Sequence, residues 1–431
     1  MKGRHVLANT RSFVPLHQFL AGIDEGSVSP RQALEVFLDR IDEAEPEVRA
    51  WVGVDAGRAR DEADRLGAMG VEGLLRGLPI GVKDLIDVAG LPTGCGSDLR
   101  RGRVASRDAD SVRALRDQGA VVMGKTVTTE FGYFAAGPTR NPWNTECTPG
   151  GSSSGSAAAV AAGMVPLAIG TQTAGSLTRP ASYCGVAGLV TAVGAFSMAG
   201  ITGLSPSLDS LGLLAPSVPD LHLAWSAMRG LRARGSAEDT TPRILVWGGS
   251  NLGEVSDDMS AALARTVSLI SRFGGECVDL NFASDVKHLA AAHAVIMAYE
   301  SVRERADVVR EAESVSAPLQ RLFLDGAGTS DEAVAAARYE VAARGRRVLG
   351  RLADFDAIVG PAALGAAPRG LDATGSPVLS RPWQALGLSA ITIPGLFDPH
   401  GMPLGIQLIG QQSREEHLFE IGAWIEGLLV D

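Results

Sequence analysis

Four cysteines in 431 residues, with no CxxC pair and no histidine cluster nearby, supply neither a disulfide framework nor a zinc site. Cys95, Cys147, Cys184 and Cys277 therefore read as free thiols, and no metal is expected. Positive charge is also short. Lys and Arg number 39 against 49 Asp and Glu, a net charge of −10, so no global field is present to hold nucleic acid or anionic lipid. Long apolar runs are missing as well: the longest weakly polar stretch, Ala157 to Gly170, is too short to cross a bilayer and contains Pro166. The N-terminal MKGRHVLANTRSFVPLHQFL has no apolar core of signal-peptide length. These absences lead to the expectation of a cytoplasmic protein with neither a nucleic-acid nor a membrane partner.

Histidine is scarce where it would matter. Of the seven histidines (5, 17, 222, 288, 293, 400 and 417), only His400, in the turn-like Asp398-Pro-His-Gly, is placed to serve a serine from a loop. Any serine chemistry in this chain needs some other base.

What is present begins with a composition able to bury a large core, 45% hydrophobic and 20% charged, which excludes intrinsic disorder. The 52 glycines exceed the usual ~7%, and much of the excess lies between Gly70 and Gly212. Ser29-Pro30 followed by Leu34, Phe37 and Ile41 predicts a capped amphipathic helix that ends before Pro46. Short β-like runs follow, at 79–82, 120–123, 166–169, 186–190, 244–247, 357–359, 390–393 and 404–408, alternating with helical segments. That alternation predicts an α/β protein whose sheet is covered by helices on both faces. The stretch from Pro219 to Arg351 reads as a mostly helical layer without chemistry-bearing motifs, and no flexible linker separates it from the later strands. One intertwined domain over 1–431 is the expectation.

Several motif matches dissolve on inspection. Gly119-Ala-Val-Val-Met-Gly124-Lys125-Thr126 fits the phosphate-loop expression, yet its middle is an apolar β-run where a phosphate cradle needs a loop. Ser284-Asp-Val-Lys287 has the serine-lysine spacing of penicillin-recognising enzymes but lacks their companion motifs, and Ser284 reads as a helix N-cap. Gly151-Ser152-Ser153-Ser154-Gly155 fits a nucleophile elbow, but a turn-rich loop precedes it instead of a strand.

Three islands carry more. Pro149 to Ser156 is a Gly/Ser loop opening onto an Ala-rich helix, and Gly170-Thr171-Gln172-Thr173-Ala174-Gly175-Ser176-Leu177-Thr178-Arg179-Pro180 is a second such loop after a short strand. Each alone would be a small-residue loop with a helix cap. Flanking one helix-strand unit, they can turn several backbone N–H groups to one point, as an oxyanion hole requires. The third island, Gly77 to Asp84, ends an apolar strand on Lys83. A strand-end lysine usually reaches solvent; one buried beside hydroxyls loses its proton far more readily and can act as a base.

At these residues the sequence resembles the amidase signature family. The resemblance runs the whole chain, through the helix from Ser29, Val82-Lys83-Asp84, Gly124-Lys-Thr, Asn141-Pro-Trp-Asn, both serine loops and the closing Gly401 to Gly410. It implies a single amidase domain over 1–431, a mixed β-sheet sandwiched between α-helices, and hydrolysis of a small-molecule carboxamide through an acyl-enzyme, without metal or cofactor. Carried over position by position, it puts the catalytic lysine on Lys83, the cis-bonded serine on Ser152 and the nucleophile on Ser176. The oxyanion and substrate-binding positions fall on Gln172, Thr173, Ala174, Gly175 and Arg179.

Two departures carry information. Most members read Thr-Asp-Thr-Gly-Gly-Ser where this chain has Thr171 to Ser176, so Ala174 adds a methyl group in the oxyanion loop and disfavours positive φ there. Arg179 stands three residues beyond Ser176, as in malonamidase-like members, which use that arginine to hold a substrate carboxylate; here it either recognises an acidic amide or braces the loop. An amidotransferase-type component working with a partner, and a non-catalytic binding member of the fold, are the alternatives. The oligomeric state is open, a homodimer included.

Overall fold

The computed structural model describes residues 16–70, 73–231 and 241–430. Most of the N-terminal stretch read for a signal segment, and His5, lie outside them.

Among the described residues eleven strands form one mixed sheet: β1 (Trp51–Val54), β2 (Pro79–Lys83), β3 (Val121–Thr126), β4 (Leu167–Gln172), β5 (Ala187–Val190), β6 (Ser210–Ala215), β7 (Arg243–Val246), β8 (Glu276–Asp279), β9 (Ala357–Pro361), β10 (Ser389–Phe397) and β11 (Pro403–Gly410). Their order is β1-β3-β2-β4-β6-β5-β10-β11-β9-β7-β8. The β3-β2-β4 and β9-β7-β8 neighbours are parallel, and the strands between them pair antiparallel. Because side chains alternate along a strand, the sheet feeds two cores. Ile80, Val82, Leu167, Ile169, Leu189, Val359 and Ile391 enter one, while Val121, Met123, Ala168, Val190, Ile358 and Ala390 enter the other. Helices cover both, which is the predicted sandwich.

The three strands that the pattern of the sequence did not reveal are β1, β6 and β8. β1 and β8 are edge strands, so each has only one partner and its residues are partly exposed. β6 is buried throughout, with Gly212 at its centre. A Cβ there would lie 2.2 Å from Leu177 Cδ1 and 2.6 Å from the Leu189 carbonyl oxygen, so close approach accounts for a residue that propensity disfavours in a strand.

The first motif helix starts as expected and ends later. Ser29 Oγ accepts the Gln32 N–H at 3.1 Å, and the Gln32 side chain accepts the Ser29 N–H at 2.9 Å, closing a capping box with Pro30 at the first helical position. The helix then runs through Pro46 to Val48. A proline this near the end forfeits one hydrogen bond in a final turn, and Arg49, left-handed at φ 55°, stops the helix with its N–H on the Glu45 carbonyl. Ser284 does not cap its helix either: Ala283–Glu304 begins one residue earlier, and Phe282 precedes it. The phosphate-loop look-alike forms β3, with Lys125 paired to Asp84 at 3.0 Å inside the protein.

The 219–351 stretch supplies helices Val218–Met228, Asp257–Arg272, Ala283–Glu304, Ala317–Ala327 and Asp331–Leu352, with β7 and β8 among them. Ala292, Ile296 and Met297 from the long central helix join Leu85, Phe131, Ala174 and Leu204 in a third apolar cluster. That cluster roofs the carboxyl ends of β2 and β4.

Candidate active site

Parallel strands β2 and β4 end side by side, with Val82 paired to Ile169, so Lys83 at the tip of one meets Thr171 at the tip of the other. Crevices at the carboxyl ends of parallel strands are where α/β sheets present their chemistry. The two serine loops meet these tips, the second of them continuing directly from β4. The 149–153 loop feeds helix Ser154–Ala161, and the 173–177 loop feeds helix Thr178–Cys184. Both helices are packed into the core along their whole length. Glycine is required there: a Cβ on Gly155 would stand 2.2 Å from the Ala50 carbonyl oxygen and 2.3 Å from the Val127 nitrogen. The loops are tied together by the Ser153 N–H donating to the Ser176 carbonyl at 3.0 Å. The Gly151–Ser152 peptide is cis.

Lys83 is 0% exposed. Its Nζ lies 2.7 Å from Ser152 Oγ, 2.8 Å from Thr171 Oγ1 and 3.0 Å from Ser153 Oγ. Burial disfavours the ammonium and pulls its pKa from 10.5 to about 7, against the opposing charge of Asp209. A neutral amine keeps two N–H donors and gains one lone pair. The Ser153 hydroxyl has a use for its own proton, the Thr171 carbonyl at 3.2 Å. The Ser152 hydroxyl has no other hydrogen-bond partner among the described residues, which leaves it free to exchange a proton with Lys83. Ser152 and Ser176 line one narrow cavity together with Thr173, Ala174, Arg179, Tyr133, Phe134 and Met297.

Across the 173–176 turn the backbone N–H groups of Thr173, Ala174, Gly175 and Ser176 donate to no oxygen among the described residues. Unpaired donors clustered at a cavity are what a developing oxyanion would satisfy. Ala174 does not adopt positive φ, so its extra methyl costs no backbone strain; it lines the cavity instead.

Gln172 faces elsewhere. Its Oε1 accepts the Leu177 and Thr178 N–H groups at 3.0 and 3.1 Å, and its Nε2 donates to Gln384. The residue braces the loop from behind and does not line the cavity. Gly175 is also set back, a Cβ there standing 2.9 Å from Pro377 Cβ.

Arg179 is 3% exposed and divides its donors. Nη2 donates to the Gly151 carbonyl at 2.6 Å and to Thr374 Oγ1 at 3.2 Å, while Nε and Nη1 have no hydrogen-bond partner among the described residues. Burial lowers its pKa to about 10, and the nearby Arg381 adds to that. The Arg381 Nε is buried and unpaired as well. No carboxylate pairs with either arginine among the described residues.

Two neighbours escaped the reading of the sequence. Asp209 accepts the Thr173 hydroxyl at 2.5 Å and the Leu204 and Ser205 N–H groups at 2.8 and 3.0 Å, and burial raises its pKa to about 6. His293 reaches the Thr173 carbonyl. Neither belongs to a local motif, so only the fold brings them in. His400 lies in an exposed turn and is no part of the site. None of Cys95, Cys147, Cys184 and Cys277 is in a disulfide. No group of His, Cys, Asp and Glu residues able to hold a metal occurs among the described residues, and no described helix is long and apolar enough to cross a membrane.

A buried lysine touching a serine, with unpaired loop amides opposite, defines a class of C–N hydrolases, and comparison with known proteins specifies it. The sequence profile described as Amidase matches residues 32–419. The chain belongs to the amidase signature family. It is 31% identical over 471 residues to one of the subunits of the glutamyl-tRNA(Gln) amidotransferase of Roseiflexus castenholzii, spanning 95% of each chain. A solved amidase is 27% identical with a TM-score of 0.88, covering 96% of this chain and 99% of its own. A chain of an inhibitor-bound vestigial protein complex, described as revealing the evolutionary origins of an s-triazine catabolic enzyme, is 28% identical with a TM-score of 0.87, covering 96% of this chain and 98% of its own.

Proposed function

We propose that the protein hydrolyses a small carboxamide to a carboxylate and ammonia or an amine, through an acyl-enzyme on Ser176. Ser176 Oγ attacks the carbonyl carbon, passing its proton to Ser152 as Ser152 gives its own to neutral Lys83. The loop N–H groups take the oxyanion. The proton then returns along the same path to the departing nitrogen, the C–N bond breaks, and water repeats the sequence on the ester. The observation that carries this reading is Lys83, fully buried, lowered to about 7 and in contact with Ser152 at the cavity that Ser176 lines.

The unpaired Nε and Nη1 of Arg179 support an acidic amide, since a carboxylate would supply the acceptors that the protein withholds. The narrowness of the cavity supports a small acyl portion. A fluorophosphonate should label Ser176, mapped by mass spectrometry. Ser176→Ala should abolish labelling, and Ser152→Ala should slow it by ~10²–10⁴-fold. Retained labelling in Ser176→Ala, with loss in Ser153→Ala or Ser154→Ala, would overturn the assignment.

The relatives named as amidotransferase subunits, matching over nearly the full chain, favour a second reading, in which the amide is hydrolysed for a partner that takes the ammonia. Ammonia release by the isolated chain from a panel of acidic, aryl and aliphatic amides separates the two.

A further inference from the structure

Helix Ala283–Glu304 is the last place the sequence would direct attention, yet it holds the oxyanion loop directly through His293 and indirectly through Glu300. His293, 0% exposed, sets its Nε2 2.7 Å from the Thr173 carbonyl oxygen. A carbonyl only accepts, so Nε2 carries the proton and Nδ1, which has no hydrogen-bond partner among the described residues, is bare. Burial, reinforced by the charge of Arg381, lowers the imidazole to about 3 and keeps it neutral at any working pH. One turn further, Met297 lines the cavity. Two turns from His293, Glu300 accepts the Ser205 and Ser207 hydroxyls at 2.7 and 2.6 Å, fixing the loop that carries Asp209 onto the Thr173 hydroxyl.

The carbonyl of Thr173 and the N–H of Ala174 belong to one conjugated peptide group. A hydrogen bond to the oxygen pulls electron density from the nitrogen and makes its N–H a stronger donor, the cooperative effect known for chains of amides. The same bond, with the Asp209 contact, fixes which way that peptide plane faces. We infer that His293 is a positioning residue for catalysis, holding and polarising the Thr173–Ala174 peptide so that the Ala174 N–H meets the developing oxyanion. This rests on the reading of the 173–176 amides as oxyanion donors.

Fluorophosphonate labelling tests it without a known substrate, because the phosphoryl oxygen occupies the oxyanion position as the Ser176 ester forms and fluoride leaves. His293→Leu should lower the saturating labelling rate ~10-fold, the worth of one hydrogen bond, with the half-saturating concentration within about two-fold. His293→Gln, whose amide N–H can replace Nε2, should restore most of the rate. The ratio of wild type to variant should stay constant from pH 6 to 9. Should His293→Leu not fold, His293→Asn, with a donor one methylene too short, takes its place. A full rate in the leucine variant, no rescue by glutamine, or a loss confined to half-saturation or to melting temperature overturns the inference. Loss of labelling in Ser176→Ala alongside any of these leaves the proposed function standing; persistent labelling in Ser176→Ala is the separate failure of that function.

Discussion

The acid limb of activity should report Lys83. Burial moves its pKa from 10.5 to about 7, which corresponds to ~5 kcal/mol of lost preference for the ammonium. At pH 7 roughly half of the molecules then hold a neutral amine, against about three in ten thousand for a lysine at its ordinary value. The pH dependence of fluorophosphonate labelling reads this directly: the rate should rise ~30-fold between pH 5.5 and 8.5 and then level, following a single ionisation near 7. Lys83→Arg keeps the charge and cannot release the proton, so the limb should vanish and the rate fall by at least ~10²-fold. Asp209→Asn removes the one carboxylate charge that opposes the shift and should move the limb to lower pH. Stability provides a second readout with a fixed sign. Between about 7 and 10.5 the unfolded lysine binds a proton that the folded one does not, so stability from this group rises with pH across that window. The slope should disappear in Lys83→Met. A rate that is flat from pH 5.5 to 8.5, or that climbs ten-fold per pH unit to 10, would refute the reasoning.

Two further outcomes are expected. Arg179→Ala should raise KM for short acidic amides by ~10- to 100-fold, a charge-assisted pair of ~1.5–3 kcal/mol, while neutral amides are spared; equal losses on both, with a lower melting temperature, would assign the residue to the Gly151 carbonyl alone. Gln172→Leu strands the buried Leu177 and Thr178 N–H groups, so unfolding in urea should show a loss of ~1–3 kcal/mol for each; unchanged stability would mean that the loop finds other acceptors.

How much of this was legible follows from where each residue gets its partners. Ser152 and Ser176 sit in Gly/Ser loops whose composition is unusual along the chain itself, and Lys83 ends an apolar strand beside them, although that strand alone does not show the lysine to be buried. The interior strands with apolar runs were likewise visible. What failed was whatever depends on a neighbour distant in sequence. The exposed edge strands β1 and β8 carry no strong pattern of their own, and β6 is strand-like only because Leu177 and Leu189 close over Gly212. Pro46 looked like a stop because the sequence does not show that the bond it deletes falls in a final turn. His293 lies 120 positions from Thr173. An isolated buried histidine on a helix has no local signature that separates it from any other core residue.

Gln172 shows how a departure from the family pattern bears on the site's electrostatics. Most members carry aspartate at that position, and a carboxylate there could accept the Leu177 and Thr178 N–H groups as Gln172 Oε1 does. The geometry of the bracing survives either way, but the charge does not. An aspartate at the end of β4 would place a buried anion one residue from Thr171, whose hydroxyl touches Lys83, and an anion at that range favours the ammonium. Glutamine keeps both hydrogen bonds, donates its own amide to Gln384 and adds no negative charge. Lys83 is left with Asp209 as the carboxylate that favours its charged form. Asp209 is itself raised to about 6 by burial, so it is mostly charged at the pH near 7 where Lys83 is half titrated and loses that charge just below it. The shift that makes Lys83 a base near neutral pH comes first from its burial, and glutamine at position 172 adds no carboxylate charge to oppose it.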